Sequence, residues 1–232
     1  MKTFTPQTNW SRRHMLQMSL TGAAAGLALG SFELAAPAAA FAQDVATPDA
    51  ALAALMAGNK RYTESKLRSF NEDLEILKQH NAEKQEPFAA VLSCADSRVP
   101  VELVFDQSIG HLFVTRVAGN VITPEIIGSL EYGAAVLGTK AILVLGHANC
   151  GAVKAAIQGK DVPGQISSLF PHIQPAVDQA GHDLEAAIKA NAKIQATLLS
   201  EASTVISEMV KSGKIKVVAG YYDLASGAVT ML

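Results

Sequence analysis

Phe88-Ala89-Ala90-Val91-Leu92-Ser93-Cys94-Ala95-Asp96-Ser97-Arg98 opens as an unbroken apolar run and ends in a cysteine, a carboxylate and an arginine. A strand with one solvated face alternates apolar and polar residues, so an unbroken run marks a strand buried on both faces. Leu112 to Val117, Ala141 to Leu145 and Ile215 to Ala219 are further short runs rich in β-branched residues, with helical patterns over Pro124 to Leu137 and Asp183 to Val210 between them. That alternation predicts an α/β fold, a mostly parallel β-sheet flanked by helices. Tyr221 to Leu224, followed by Ser226-Gly227, predicts a last strand turning into an edge hairpin. Lys160 to Ala180, with Pro163, Pro171 and Pro175, reads as the most irregular segment.

Upstream of the first strand, Thr47-Pro48-Asp49 is a helix start with a capping hydroxyl, a proline in the first turn and an acid at the positive end of the dipole. Leu52, Leu55, Met56 and Tyr62 recur at helical spacing behind it, and a second helix is predicted from Asn71 to Glu83 with Leu74, Ile76 and Leu77 on its apolar side. Helices before the first strand have no crossover to make. Residues 43–86 therefore read as an N-terminal helical arm free to pack on a partner subunit, ahead of an α/β domain over residues 87–232.

Residues 1–42 do not belong to that fold: Ser11-Arg12-Arg13-His14-Met15-Leu16-Gln17 precedes an Ala/Gly/Leu-rich stretch and the small-residue site Ala40-Phe41-Ala42. The segment resembles a twin-arginine export signal, which predicts a periplasmic or otherwise exported protein with no stable membrane insertion after signal removal. Losing Lys2, Arg12, Arg13 and Glu33 takes 19 basic and 21 acidic residues to 16 and 20, a net charge of −4. With no Lys/Arg block beyond the pairs Arg12-Arg13 and Lys60-Arg61, nucleic acid is excluded as a partner.

In parallel α/β sheets ligands gather beyond the carboxyl ends of strands. Cys94 directly follows one strand, His147 follows another through Gly146, and Cys150 opens the helical segment Gly151 to Ile157, where a thiol pKa is lowered. In an exported protein two cysteines also fit a disulfide. Cys94, His147 and Cys150 match instead the Cys2His set of catalytic zinc sites, which leave a fourth position for water or substrate. Two thiolates and a neutral imidazole cancel the charge of Zn2+, so the water needs help and activity should rise toward alkaline pH. Asp96 is the nearby carboxylate, either directing that water or closing the site as a fourth ligand, and Arg98 can hold it ionised through a bidentate pair. The alternative for the pair is a surface salt bridge of little consequence. His80, His111, His172 and His182 read as solvated.

Cys-Ala-Asp-Ser-Arg at 94–98, Arg-Val-Ala-Gly-Asn at 116–120, Gly-Ser-Leu-Glu-Tyr at 128–132 and Gly-His-Ala-Asn-Cys-Gly-Ala-Val at 146–153 resemble, in order and spacing, the β-class carbonic anhydrases. The resemblance runs from about Pro48 to Leu232. It implies one Zn2+ per subunit on Cys94, His147 and Cys150, with Asp96 and Arg98 as the dyad that orients zinc-bound hydroxide for the reversible hydration of carbon dioxide to bicarbonate and a proton. It also implies substrate contacts from Gln85, Phe113 and Ala118, the first two reaching the site of the neighbouring subunit in a homodimer or dimer of dimers. His111, where the family commonly has an acid, is expected to be a surface change. Val91 replaces the tryptophan of a noncatalytic bicarbonate pocket, so an open site with Asp96 on Arg98 is expected. Rival readings are hydrolysis of carbonyl sulfide or carbon disulfide on the same scaffold and a noncatalytic binding protein that zinc only stabilises.

Overall fold

Five strands, β1 (Ala89–Ser93), β2 (Leu112–Arg116), β3 (Ala141–His147), β4 (Lys216–Tyr222) and β5 (Val229–Met231), form one sheet in the order β2-β1-β3-β4-β5. The first four run parallel and β5 returns antiparallel along β4, the predicted edge hairpin. This computed structural model describes residues 45–69 and 74–232; the predicted export signal and the predicted helix start at Asn71 lie outside the described residues. Among the described residues no helix is long and apolar enough to cross a membrane.

Eight α-helices surround the sheet among the described residues: α1 (Pro48–Thr63), α2 (Leu74–Asn81), α3 (Val101–Val104), α4 (Pro124–Glu131), α5 (Gly151–Gln158), α6 (Phe170–Ala180), α7 (Leu184–Ala202) and α8 (Thr204–Lys211). Every residue of β1 and β3 is buried, because helices cover both faces. Period two still sorts their side chains. Ala89 and Val91 pack with Ala51 and Leu55 of α1 and with Val101, Val104 and Phe105, whereas Ala90 and Leu92 pack with Leu130 of α4, Ala192, Ala196 and Leu199 of α7 and Ile206 of α8. The close seat of α1 requires glycine at 58, where a Cβ would stand 1.7 Å from the carbonyl oxygen of Phe105.

The segment after α1 is tied down by a buried carboxylate. Oδ1 of Asp106 accepts the backbone N–H groups of Arg68 (2.9 Å) and Ser69 (3.0 Å) and the Ser69 hydroxyl (2.8 Å), while Oδ2 accepts Nε–H of Arg61. Burial by itself would raise the Asp106 pKa, but the hydrogen bonds from Ser69, Arg61 and Arg68 outweigh it and hold the group below its ordinary value. A carboxyl depressed in this way stabilises the fold above the pH at which the unfolded chain titrates, and the contribution is lost as the pH falls through the folded value. Asp106→Asn is expected to cost about 3 kcal/mol at pH 7 and about 6–12 °C in Tm. Urea unfolding checks it, and the difference from wild type should shrink as the pH is taken below about 4.

Several predicted elements differ in detail. Residues 160–180 are not irregular throughout, because α6 occupies Phe170–Ala180. Pro171 sits in its first turn, where no N–H is needed, and Ile173, Ala176 and Val177 supply a buried stripe at helical spacing that outweighs the bond lost at Pro175. The predicted helix Asp183 to Val210 is two, broken at Ser203, which is extended (φ −95°, ψ 112°) and caps α8 by accepting the Ile206 N–H at 3.0 Å. Its hydroxyl donates to Glu131 at 2.6 Å. The helix predicted over Pro124 to Leu137 turns into a π-turn at Tyr132–Val136. His111 is not a free surface position: it is half-buried, its carbonyl accepts the Phe88 N–H at 3.0 Å, and the two rings lie 6.4 Å apart.

Candidate metal centre

Parallel strands deliver their carboxyl ends to one rim, and three of the chain's ligand-type side chains collect there. Cys94 is the first residue beyond β1 and His147 is the last residue of β3, with Ser93 level with Leu145 in the ladder. Asn149, held at φ +53°, turns the chain so that Cys150 becomes the N-cap residue of α5. The ligand atoms of Cys94, His147 and Cys150 all lie within 4.8 Å of one another, and all three residues are buried. Neither cysteine is in a disulfide.

The hydrogen bonds around them leave the donor atoms directed at a common point. His147 Nδ1 lies 2.9 Å from the Ala148 carbonyl oxygen, which can only accept, so Nδ1 carries the proton and Nε2 the lone pair. Nε2 is buried without a hydrogen-bond partner among the described residues. An orphaned imidazole lone pair beside two thiols is what a soft cation requires, and this donor set fits Zn2+. Cys94 is pushed down to about 4, first by the hydrogen bond from Cys150 and further by the Gly119 N–H, which donates to its sulfur at 3.3 Å. Cys150, buried and holding the shared proton, is pushed up correspondingly, against the helix-start amides of Val153 and Ala152. One thiolate is thus already favoured before a metal displaces the remaining proton.

Beside the cluster, Asp96 is gripped by Arg98. Nε and Nη2 donate to the two carboxylate oxygens at 2.9 and 2.7 Å, and the Arg98 backbone N–H adds 2.9 Å. The Arg98 side chain, chiefly, holds the Asp96 carboxyl well below the usual carboxylate range. Oδ2 lies 3.9 Å from His147 Nε2, which puts the carboxylate at the edge of the cluster. Arg98 also donates to the Asn149 carbonyl at 3.3 Å, joining the loop after β1 to the turn that carries Cys150.

Arg116, quoted in a motif but given no role by the sequence, makes a second brace: Nε donates to the Cys94 carbonyl at 2.9 Å and Nη2 to the Asp96 carbonyl at 2.5 Å. Of the remaining predicted residues, Ala118 adjoins Gly119 and is half-buried. Gln85 and Phe113 do not join the cluster of their own chain. Gln85 is exposed and precedes the amino end of β1. Phe113 pairs with Ala90, three residues down the ladder from Ser93, about 10 Å toward the opposite rim, and its ring lies 6.3 Å from that of Tyr132.

Comparison with known proteins agrees with this geometry. The profile of the carbonic anhydrase family matches residues 89–229. Carbonic anhydrase 2 of Mycobacterium tuberculosis is 33% identical over 188 residues, covering 78% of this chain and 90% of the relative. The carbonic anhydrase of Mycolicibacterium smegmatis is 35% identical over 193 residues, covering 79% and 93%. Among solved structures, the β-carbonic anhydrase CafA of Aspergillus fumigatus superposes with a TM-score of 0.65 at 24% identity, covering 78% of this chain and 90% of that one. A β-carbonic anhydrase of Sordaria macrospora, one of two described as tetrameric, superposes at 0.62 and 20% identity, covering 68% and 90%. The chain belongs to the carbonic anhydrase family, an enzyme family, and its fold is that of the β-class.

Proposed function

We propose that this protein catalyses the zinc-dependent, reversible hydration of carbon dioxide to bicarbonate and a proton, with Cys94, His147 and Cys150 holding one Zn2+ per subunit. The observation that carries the reading is the convergence on one rim of a buried Cys2His donor set and a carboxylate pinned by arginine. When bound, Zn2+ would supply a Lewis acid that lowers the pKa of a water and makes it a nucleophile, the more so toward alkaline pH because the two thiolates cancel the charge of the ion. Asp96, kept ionised and aimed by Arg98, accepts a hydrogen bond from the attacking oxygen and so directs its lone pair at the carbon of the substrate. Arg116 and the Arg98–Asn149 contact hold the backbone on which these groups stand. One C–O bond forms as one C=O π pair of carbon dioxide moves onto its oxygen, and one O–H bond of the water breaks, its proton leaving to bulk water.

Gln85 and Phe113, displaced from the cluster of their own chain, are assigned to the partner's site, which makes the working unit a homodimer or a dimer of dimers with the arm at residues 43–86 packed on the partner. The tetrameric Sordaria relatives support such an assembly. Residues 1–42 are assigned to export and removal. Stopped-flow hydration with zinc analysis on the purified protein tests the reading: one zinc per chain and saturable turnover, faster on carbon dioxide than on carbonyl sulfide, are expected. Stoichiometric zinc without hydration would leave the metal a purely structural role.

A further inference from the structure

Two carboxamides, Asn191 and Gln195, lie one turn apart in α7, each 1% exposed, on a face otherwise formed by residues such as Ala187, Ile188, Ala192 and Leu199. Amides are buried among apolar groups at a cost unless they are paired, and here the pairing is with the backbone of other elements. Asn191 Nδ2 donates to the Gly119 carbonyl at 2.8 Å, and the Ile122 N–H donates to Gln195 Oε1 at 2.8 Å. Gln195 Nε2 donates to the His172 carbonyl of α6 at 2.9 Å and to Asn191 Oδ1 at 3.2 Å. The pair therefore grips the turn after β2 at two points and fastens it to α6.

Gly119 is the residue at the centre of that grip. It stands at φ +74°, where an L side chain is strained, and a Cβ on it would crowd Ile173 Cδ1 at 2.9 Å and Ala152 Cβ at 3.3 Å, so glycine is favoured between the turn and α6. While Asn191 holds its carbonyl, its N–H donates to Cys94 Sγ at 3.3 Å. We propose that Asn191 and Gln195 are positioning residues for the metal centre: by holding the carbonyl of the peptide after Gly119 and the N–H of Ile122 they fix the turn, and with it the Gly119 N–H of the preceding peptide on the Cys94 sulfur, and so set how well that sulfur is placed and how strongly it donates to the metal. The inference rests on the zinc reading above, not on the identity of the substrate. Groups that orient a ligand from outside the coordination sphere typically govern metal affinity about 10- to 100-fold.

Asn191→Leu keeps the number and branching of the side-chain heavy atoms and removes the hydrogen bonds. Zinc affinity is measured by competition with a chromophoric chelator, and the thiolate-to-metal absorption band is read on the Co2+-substituted protein. The variant is expected to bind zinc about 10- to 100-fold more weakly, because the sulfur is no longer held in place, and to shift the cobalt band to lower energy, because a sulfur relieved of an N–H donor gives up an electron to the metal more readily. Leu199→Ala, on the same helix but without a hydrogen bond to the turn, should lower Tm and leave both readouts where wild type has them. Should Asn191→Leu not fold, Gln195→Met, which removes the hold on Ile122, makes the same test. Wild-type affinity and band in a folded variant, or equal shifts in Leu199→Ala, would overturn the proposal. A wild-type chain that binds neither metal would overturn the zinc reading, and this inference with it.

Discussion

Asp96→Asn is expected to lower kcat/KM for carbon dioxide hydration about 10²- to 10⁴-fold, the range for a positioned proton-accepting group, with zinc content unchanged. The amide oxygen can keep the two donors that now reach Oδ1, the Arg98 backbone N–H and Nε–H at 2.9 Å each, but an amide nitrogen in the place of Oδ2 can accept neither Nη2–H nor a hydrogen bond from the attacking oxygen. Stability should move little. The Arg98 side chain is 52% exposed, and a pair so open to water contributes about 0–1 kcal/mol, or at most about 2–4 °C in Tm. The rate and the stability thus separate two readings of the same ion pair. A surface salt bridge predicts small changes in both, and the dyad predicts a collapse of turnover in a chain that still folds and still binds zinc. Arg98→Lys should fall between, since an ammonium keeps the charge but loses the two-point fork. If Asp96→Asn hydrates carbon dioxide at the wild-type rate with zinc in place, the carboxylate has no part in the reaction.

The sheet was legible because burial on both faces leaves an unbroken apolar run, and β1 and β3 are buried at every position. The donor set was legible because each member stands at a punctuation point, one just past a strand, one at a strand end and one at a helix start. What was not legible acts through the backbone. Arg116 holds two carbonyls, and a side chain that bonds to backbone leaves no partner residue type in the sequence to pair it with. Asn191 and Gln195 look like solvated positions in an amphipathic helix until the turn they grip is folded against them. The same holds for α6, where counting prolines concealed a buried stripe, and for Gln85 and Phe113, whose proposed roles belong to a second subunit and so have no trace in one chain's periodicity.

Removing the metal from the wild-type protein is expected to lower Tm by about 8–16 °C, taking about 4 kcal/mol for a site filled at a thousand times its Kd and 2–4 °C per kcal/mol at this size. The reason lies in what the site becomes without a cation. His147 Nε2 is left buried with a lone pair that nothing else among the described residues satisfies, and Cys94 and Cys150 must share a proton at close range. Cys150→Ser should reproduce the loss, because a serine hydroxyl does not ionise to replace a thiolate ligand, and chelator should then lower its Tm no further. Zinc content of that variant should fall to near zero. The rival view of the two cysteines as a disulfide predicts the opposite pattern: reductant rather than chelator would lower Tm, and a thiol titration of the chelated, unfolded chain would find no free sulfur. Two titratable thiols are expected, since the structure holds both cysteines unpaired with their sulfurs and the imidazole nitrogen inside 4.8 Å. A wild-type protein indifferent to chelator yet sensitive to reductant would make Cys94 and Cys150 a staple rather than a metal site, and would leave Asp96 and Arg98 with nothing to act upon.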